Sequence, residues 1–150
     1  MWEPSGEIYG WQKRRSGLIL YYCGKKREGM ARQKQRLGRE GEKLAARALE
    51  KAGYRIIHRN YSHPPYELDI IAVKDDTLVV AEVKSFHAPP LGAAEFRIGK
   101  KKQRALYNGI DAFLAENSQF NDYNVRIDIF IVDFSLYPAS LTHYPGVIFE

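Results

Sequence analysis

Two neighbouring runs of β-forming residues carry four charged side chains that could do chemistry together. Glu67 and Asp69 lie two positions apart in the first run, and Glu82 and Lys84 lie two positions apart in the second. Residues two apart on a strand point to the same side of a sheet. If the two aspartates between the runs form a hairpin turn, Asp69 faces Glu82. Glu67 then faces Lys84, and all four side chains share one patch.

The three carboxylates of this patch would repel one another and raise each other's pKa unless a cation lay between them. Their hard oxygen atoms suit Mg²⁺, which keeps several of its waters, and Mn²⁺ is the expected substitute. The ammonium group of Lys84 cannot bind a metal, but it can orient an attacking water and offset charge that develops on phosphate oxygens. The four residues therefore predict metal-assisted hydrolysis of a phosphodiester.

A plainer interpretation of the same patch is a set of cross-strand ion pairs. Such pairs stabilise a protein by roughly a few tenths of a kcal/mol and need no ligand. The neighbouring residues favour the catalytic interpretation, because the acids lie within apolar runs, where burial without a partner is unfavourable. Spacing alone leaves both interpretations open.

Helix and strand periodicities predict the elements that must hold these residues. Apolar residues recur at helical spacing over residues 32–52, where Glu42 is the one acidic side chain that leans toward the apolar face. Asp75 and Asp76 mark the hairpin turn. The predicted order is α-β-β-β-α-β, a mixed sheet flanked by helices. The remaining predicted elements are a loop at 60–65, a helix at 100–116, and strands at 54–59, 67–74, 77–85, 125–134 and 147–149.

The bulk composition is that of one globular domain with a slight preference for anionic partners. The chain has 150 residues and a net charge of +5, which favours a partner such as nucleic acid. We predict that residues 1–30 form a basic, poorly ordered extension and that residues 31–150 form the domain. The single cysteine, Cys23, excludes a disulfide within the chain and favours a cytoplasmic location. No apolar stretch approaches the ~18 residues of a membrane span, so no membrane partner is expected.

Several ordered motifs make the sequence similar to a known family. Over roughly residues 31–150, the chain resembles the YraN family of bacterial proteins, in the PD-(D/E)xK nuclease superfamily near the archaeal Holliday junction resolvases. The residues that carry the resemblance are Gly38, Gly41, Glu42, Ala45, Gly53, Tyr54, Arg59, Asn60, the segment 67–72, the segment 82–84, Lys101, Arg126 and Asp128.

The resemblance implies a fold and assigns roles. The implied fold is the restriction-endonuclease-like three-layer α/β fold. Asp69 and Glu82 are implied as metal ligands and Lys84 as the catalytic lysine. Glu42 matches the helix glutamate that completes the acidic catalytic site and adds a ligand in the resolvase-like branch. Glu67 matches a family glutamate that supports the site or binds a second metal.

The sequence departs from the family pattern at two positions beside the predicted site. Tyr66 stands where the family usually has glycine, and Phe86 stands where it usually has arginine. The second difference removes a cation that could contact phosphate. The acids and Lys84 are intact, so the departures bear on the choice of substrate more than on the chemistry.

Basic residues cluster where the second predicted helix begins. Cations oppose the dipole at the start of a helix, so their presence there indicates a phosphate-binding edge. A solvated basic face is the alternative. The cluster consists of Arg97, Lys100, Lys101, Lys102 and Arg104, and the predicted nucleic-acid contacts are Arg97, Lys100, Lys101, Arg104 and, from the first helix, Arg39.

Three functions are consistent with these observations. The leading one is a Mg²⁺-dependent DNA endonuclease that is structure-selective on branched DNA. Its expected partner is branched or single-stranded DNA, and two neighbouring scissile strands would favour a homodimer. The second is a non-catalytic nucleic-acid-binding module with the same fold. The third is an accessory subunit of a DNA-processing complex. Intact acids argue against the second, because a mere binder gains nothing from carboxylates near phosphate.

Overall fold

The computed structural model describes residues 9–14, 17–22, 25–87 and 98–149. The chain divides into two compact units, Met1–Arg36 and Leu37–Glu150. In the first unit, strand β1 (Tyr9–Arg14) pairs antiparallel with strand β2 (Gly17–Tyr22). Because residues 1–30 are described only in part, the prediction that they are a poorly ordered extension remains a prediction.

Helix α1 spans Lys25–Lys51 and therefore begins before residue 32, where apolar spacing placed it. Four of the seven added residues are Lys, Arg or Glu (Lys25, Lys26, Arg27 and Glu28), which favour helix without producing an apolar stripe. The helix ends as expected before Gly53, whose φ of +89° places it in the left-handed region.

A five-stranded mixed sheet forms the second unit. Its strands lie side by side in chain order, antiparallel throughout except for one parallel pair, β5 (Thr77–Phe86) and β6 (Asn124–Asp133). Helix α2 (Lys100–Glu116) connects that parallel pair, and a short 3-10 turn, Ser118–Phe120, follows it. The order confirms the predicted α-β-β-β-α-β arrangement. The strands are β3 (Arg55–His63), β4 (Tyr66–Lys74), β5 (Thr77–Phe86), β6 (Asn124–Asp133) and β7 (Ser140–Tyr144).

Two further predicted boundaries were wrong. The predicted loop at 60–65 is shorter, because β3 continues to His63 and only Pro64 and Pro65 form the turn. The last strand is Ser140–Tyr144 rather than 147–149. The main-chain N–H of Val147 still donates to the Ile127 carbonyl at 2.8 Å, but no further ladder follows.

The sheet lies between two apolar layers, which gives the expected three-layer fold. On one face, Ala45 and Leu49 of α1 pack in a buried cluster with Phe130. On the other, Leu106 and Phe113 of α2 pack in a second cluster. Burying each large side chain stabilises the fold by about 1.5–3 kcal/mol. Neither described helix has the length and apolarity that a membrane crossing requires.

Candidate functional site

The hairpin of β4 and β5 has the predicted register, and it opens where the candidate site begins. Lys74 pairs with Thr77, and the ladder runs for five pairs to Ile70 and Ala81. The next pair would be Asp69 and Glu82. At that point the Val83 N–H donates 2.8 Å to Asp69 Oδ2, so a side-chain carboxylate takes the place of a main-chain acceptor. The ladder therefore ends on the two predicted metal ligands.

The predicted pairing of Glu67 with Lys84 is not part of this ladder. Glu67 pairs with Ser62 of β3, and Lys84 pairs with Ile131 of β6. The reason lies in β4, where Leu68 and Ile71 pack in the same buried layer, so strict two-residue alternation fails across Asp69. The Glu67 side chain is exposed, and among the described residues it makes no hydrogen bond or ion pair.

Glu82 is buried, with 1% of its surface exposed, and two ammonium groups approach its carboxylate. Lys84 Nζ lies 2.5 Å from Oε1. Lys102 Nζ lies 3.0 Å from Oε2, off the hydrogen-bonding direction, so Oε2 accepts no hydrogen bond within the described part of the chain. A buried carboxylate needs such charge partners, because desolvation otherwise penalises its ionised form.

Lys102 is a site residue that sequence reasoning missed. Lys101 was among the predicted contacts and is exposed, whereas Lys102 reaches Glu82. The position of Lys102 in the helical repeat of α2 could have indicated that it faces the site. Lys102 precedes the buried Leu106 and Ile110 by four and eight residues, and that row of α2 faces the sheet.

Asp69 is held in an electrostatically unfavourable position. Burial and the neighbouring Glu82 carboxylate raise its pKa from 3.8 to about 6, and Glu42 adds to that effect. The Val83 N–H and the Lys102 ammonium act in the opposite direction, by favouring the ionised form. A cation between Asp69 and Glu82 would relieve this repulsion.

Glu42 contributes to the site from α1, and a β3 residue holds it. Asn60 Nδ2 donates to Glu42 Oε2 at 3.0 Å. Asn60 has a φ of +53° and lies opposite Asp69, between the pairs Arg59–Ile70 and Tyr61–Leu68. Asparagine tolerates this conformation better than most residues. The sequence pointed to Asn60 only as part of a motif, with no role attached.

A glycine allows α1 to approach the strand that bears Lys84. A Cβ on Gly41 would overlap with Ser85 Oγ and lie 3.2 Å from Ser85 Cβ. The Ser85 hydroxyl is buried and has no hydrogen-bond partner among the residues that the structure describes. The contact places Glu42, the next residue of α1, beside the end of β5.

The predicted nucleic-acid contacts that lie within the described residues make no hydrogen bond or ion pair with the candidate acids. Lys100, Lys101, Arg104 and Arg39 are exposed, and Arg97 lies outside the described residues. Within the described ranges, no group of three or more His, Cys, Asp and Glu side chains is arranged to hold a metal ion. The proposed ligands Asp69, Glu82, Glu42 and Glu67 therefore do not form a ready-made cluster.

A separate ion pair joins Arg126 and Asp128 on β6. Asp128 is fully buried and accepts two hydrogen bonds of 2.8 Å from Arg126. His143 Nε2 lies 2.8 Å away, and the Gly146 N–H donates at 3.0 Å. Burial alone would raise the pKa of Asp128, but these hydrogen bonds hold it below its usual range.

The raised pKa of Asp69 predicts how the free energy of unfolding of the metal-free protein depends on pH. Protonated Asp69 stabilises the fold fully below pH 3.8, and this contribution is lost as the pH rises through about 6. At about pH 7.5, Asp69→Asn should raise the free energy of unfolding by on the order of 2 kcal/mol. Denaturant unfolding in a chelator would measure it. The exposed Asp111→Asn is the matched control, and an equal effect of both substitutions would contradict the prediction.

Comparison with known proteins matches most of the second unit. A family model described as "Uncharacterised protein family UPF0102" matches residues 41–132. A UPF0102 protein of Parabacteroides distasonis is 45% identical over 101 residues, which cover 67% of this chain and 80% of that protein. One from Syntrophus aciditrophicus is 39% identical, with 67% and 78% covered. One from Treponema pallidum is 34% identical, with 77% and 94% covered.

Proposed function

The chain belongs to the protein family UPF0102, the YraN family that its sequence resembles, and from this premise we propose that it is a Mg²⁺-dependent endonuclease acting on DNA. The observation that carries the proposal is the arrangement around Glu82. A buried carboxylate, a second carboxylate of raised pKa and two ammonium groups meet where the β4–β5 ladder ends. This is the residue set that phosphodiester hydrolysis needs.

The donor atoms of the site suit a hard divalent cation. Glu82 Oε2 accepts no hydrogen bond among the described residues, and Asp69 is destabilised by neighbouring negative charge. Asp69 and Glu82 would hold the ion, with Glu42 as the third carboxylate. Mg²⁺ binds through few protein ligands and keeps waters, so a complete protein cage is not required. When bound, the ion would offset phosphate charge and make water more acidic.

The remaining residues supply positioning and charge. Lys84 Nζ can donate a hydrogen bond to an attacking water or to a phosphate oxygen, and its positive charge favours a transition state richer in negative charge. Asn60 holds the Glu42 carboxylate at 3.0 Å and so orients the α1 contribution. The hydrogen bond that Asp69 accepts from the Val83 N–H fixes that carboxylate against β5.

The proposed substrate is branched or single-stranded DNA, held by the basic residues around the start of α2. Lys100, Lys101 and Arg104 are exposed there, as is Arg39 on α1, and such cations supply most of the affinity for a phosphate backbone. A homodimer would present two sites to two strands. Both expectations come from the resemblance to the resolvases.

Two observations favour the alternative of a non-catalytic binding module. Two lysines already neutralise Glu82, and the described residues form no three-ligand cluster. A protein of this kind would keep the ion pairs for stability alone and would bind nucleic acid without metal. An accessory subunit would behave in the same way in isolation.

Cleavage assays separate these functions. Purified protein with Mg²⁺ or Mn²⁺ would be offered linear, single-stranded and four-way-branched DNA, beside Asp69→Asn and Lys84→Ala. We expect the parent protein to cut at least one DNA and both variants to bind that DNA without cutting it. The exposed Asp111→Asn should cut like the parent. Equal binding with no cleavage by any of the four proteins would support the module instead.

A further inference from the structure

We propose that Lys102 and the divalent ion compete for the same oxygen of Glu82, so that Lys102 holds this carboxylate in the metal-free protein and releases it when the ion binds. The inference rests on the proposed function, because it concerns how that site changes between its two states. It assigns to Lys102 a positioning role distinct from that of Lys84.

The geometry divides the two oxygens of Glu82 between two lysines from different elements. Lys84 lies on β5, two residues from Glu82, and its ammonium contacts Oε1. Lys102 comes from α2 and lies 3.0 Å from Oε2. An ion bound between Asp69 and Glu82 needs an oxygen of each, and Oε2 is the one without a hydrogen bond in the described structure. An ammonium and a metal ion cannot both occupy that position.

Both lysine side chains are partly exposed, and Lys102 is the one whose departure would free Oε2. It lies in the first turn of α2, where the helix dipole disfavours a cation. The helix therefore does not stabilise the ammonium in its position beside Glu82. Its side chain is 35% exposed, so the flexible chain can return to solvent without unfolding the helix. On release, the ammonium joins the exposed Lys100 and Lys101 at the start of α2.

This exchange would couple metal binding to phosphate binding. While Lys102 neutralises Glu82, its charge is unavailable to DNA. Once the ion takes over Oε2, the first turn of α2 presents one more cation to the phosphate backbone. The metal-free site is also protected, because the buried carboxylate is never left without a counter-charge.

Removing the Lys102 charge should strengthen metal binding, which loss of a merely structural contact would not do. The experiment titrates Mg²⁺, and separately Mn²⁺, into the full chain by calorimetry without DNA. We expect Lys102→Met to lower the Kd for the ion about tenfold, because a competing charge has gone from beside the carboxylate. Lys102→Gln keeps a hydrogen-bond donor without the charge and should lower the Kd by a similar factor, which guards against a folding defect in the methionine variant.

Lys51→Met is the matched control. It removes the same charge from α1, nine residues beyond Glu42, or about 13 Å along the helix. Its Kd should equal that of the parent. A Kd in folded Lys102 variants that is unchanged or higher would overturn the inference, as would absence of metal binding by every protein. Tighter binding in the Lys102 variants without DNA cleavage by the parent would support the competition and contradict the nuclease.

Discussion

Glu82→Gln should lower the single-turnover rate of DNA cleavage by about a thousandfold or more. Glutamine has the same shape but no charge, so the substitution removes the proposed metal ligand and the counter-charge of Lys84 and Lys102 together. The free energy of unfolding should change much less than the activation free energy of cleavage. Both lysine side chains are about one third exposed, so their ammonium groups can turn to water when their partner is neutral.

The separation of rate from stability is what makes Glu82→Gln informative. Cleavage would be measured with excess enzyme and saturating Mg²⁺, and unfolding by denaturant in the same buffer. Glu50→Gln makes the same chemical change on an exposed face of α1 and should alter neither quantity. If the cleavage rate of Glu82→Gln were within about tenfold of the parent rate, the Glu82 carboxylate would not take part directly in cleavage.

Gly41→Ala should reduce the free energy of unfolding by about 1–3 kcal/mol, through overpacking. The added Cβ would overlap with Ser85 Oγ and approach Ser85 Cβ, so α1 or β5 must shift. Gly38→Ala lies on the same helix with nothing within 4 Å of the new Cβ. It should stabilise the protein by about 0.5–1 kcal/mol, because alanine favours helix.

A double variant tests the cause of the Gly41 effect. Ser85→Ala removes the hydroxyl that lacks a partner in the described residues and should restore most of the loss, measured by denaturant unfolding of both single variants and the pair. In the single Gly41→Ala variant the cleavage rate should also fall, since the shift moves Glu42 away from Asp69. Equal destabilisation by Gly38→Ala and Gly41→Ala would disprove the close-approach explanation.

Local patterns were enough to predict the elements that bear the candidate acids. Asp75 and Asp76 fixed the hairpin, and Asp75 adopts the left-handed φ of +52° that such turns need. The register followed from the turn length, and the resemblance assigned Glu42. The bounds of α2 were predictable as well, because its apolar row is regular from Leu106 onward.

Features that depend on the packing of distant elements were not predictable from periodicity. The start of α1 has no apolar stripe, and β7 is a polar strand paired to only one neighbour, so neither gives a strong signal. The role of Gly41 requires knowledge of which strand α1 touches. Glu67 was placed in the site by assuming regular alternation, which the conformation around Asp69 breaks. The role of Lys102 was not predicted, because the prediction used the number of neighbouring charges and not the face of α2 on which each residue lies.

The buried Asp128 has a consequence for the end of the chain. Two of its partners, His143 and Gly146, lie on or just after β7, and the His143 ring stacks on Phe130 at a centroid distance of 4.1 Å. A shortened protein ending before Ser140 would leave that carboxylate with Arg126 alone. The C-terminal stretch is therefore no dispensable tail, and an affinity tag fused there needs a spacer.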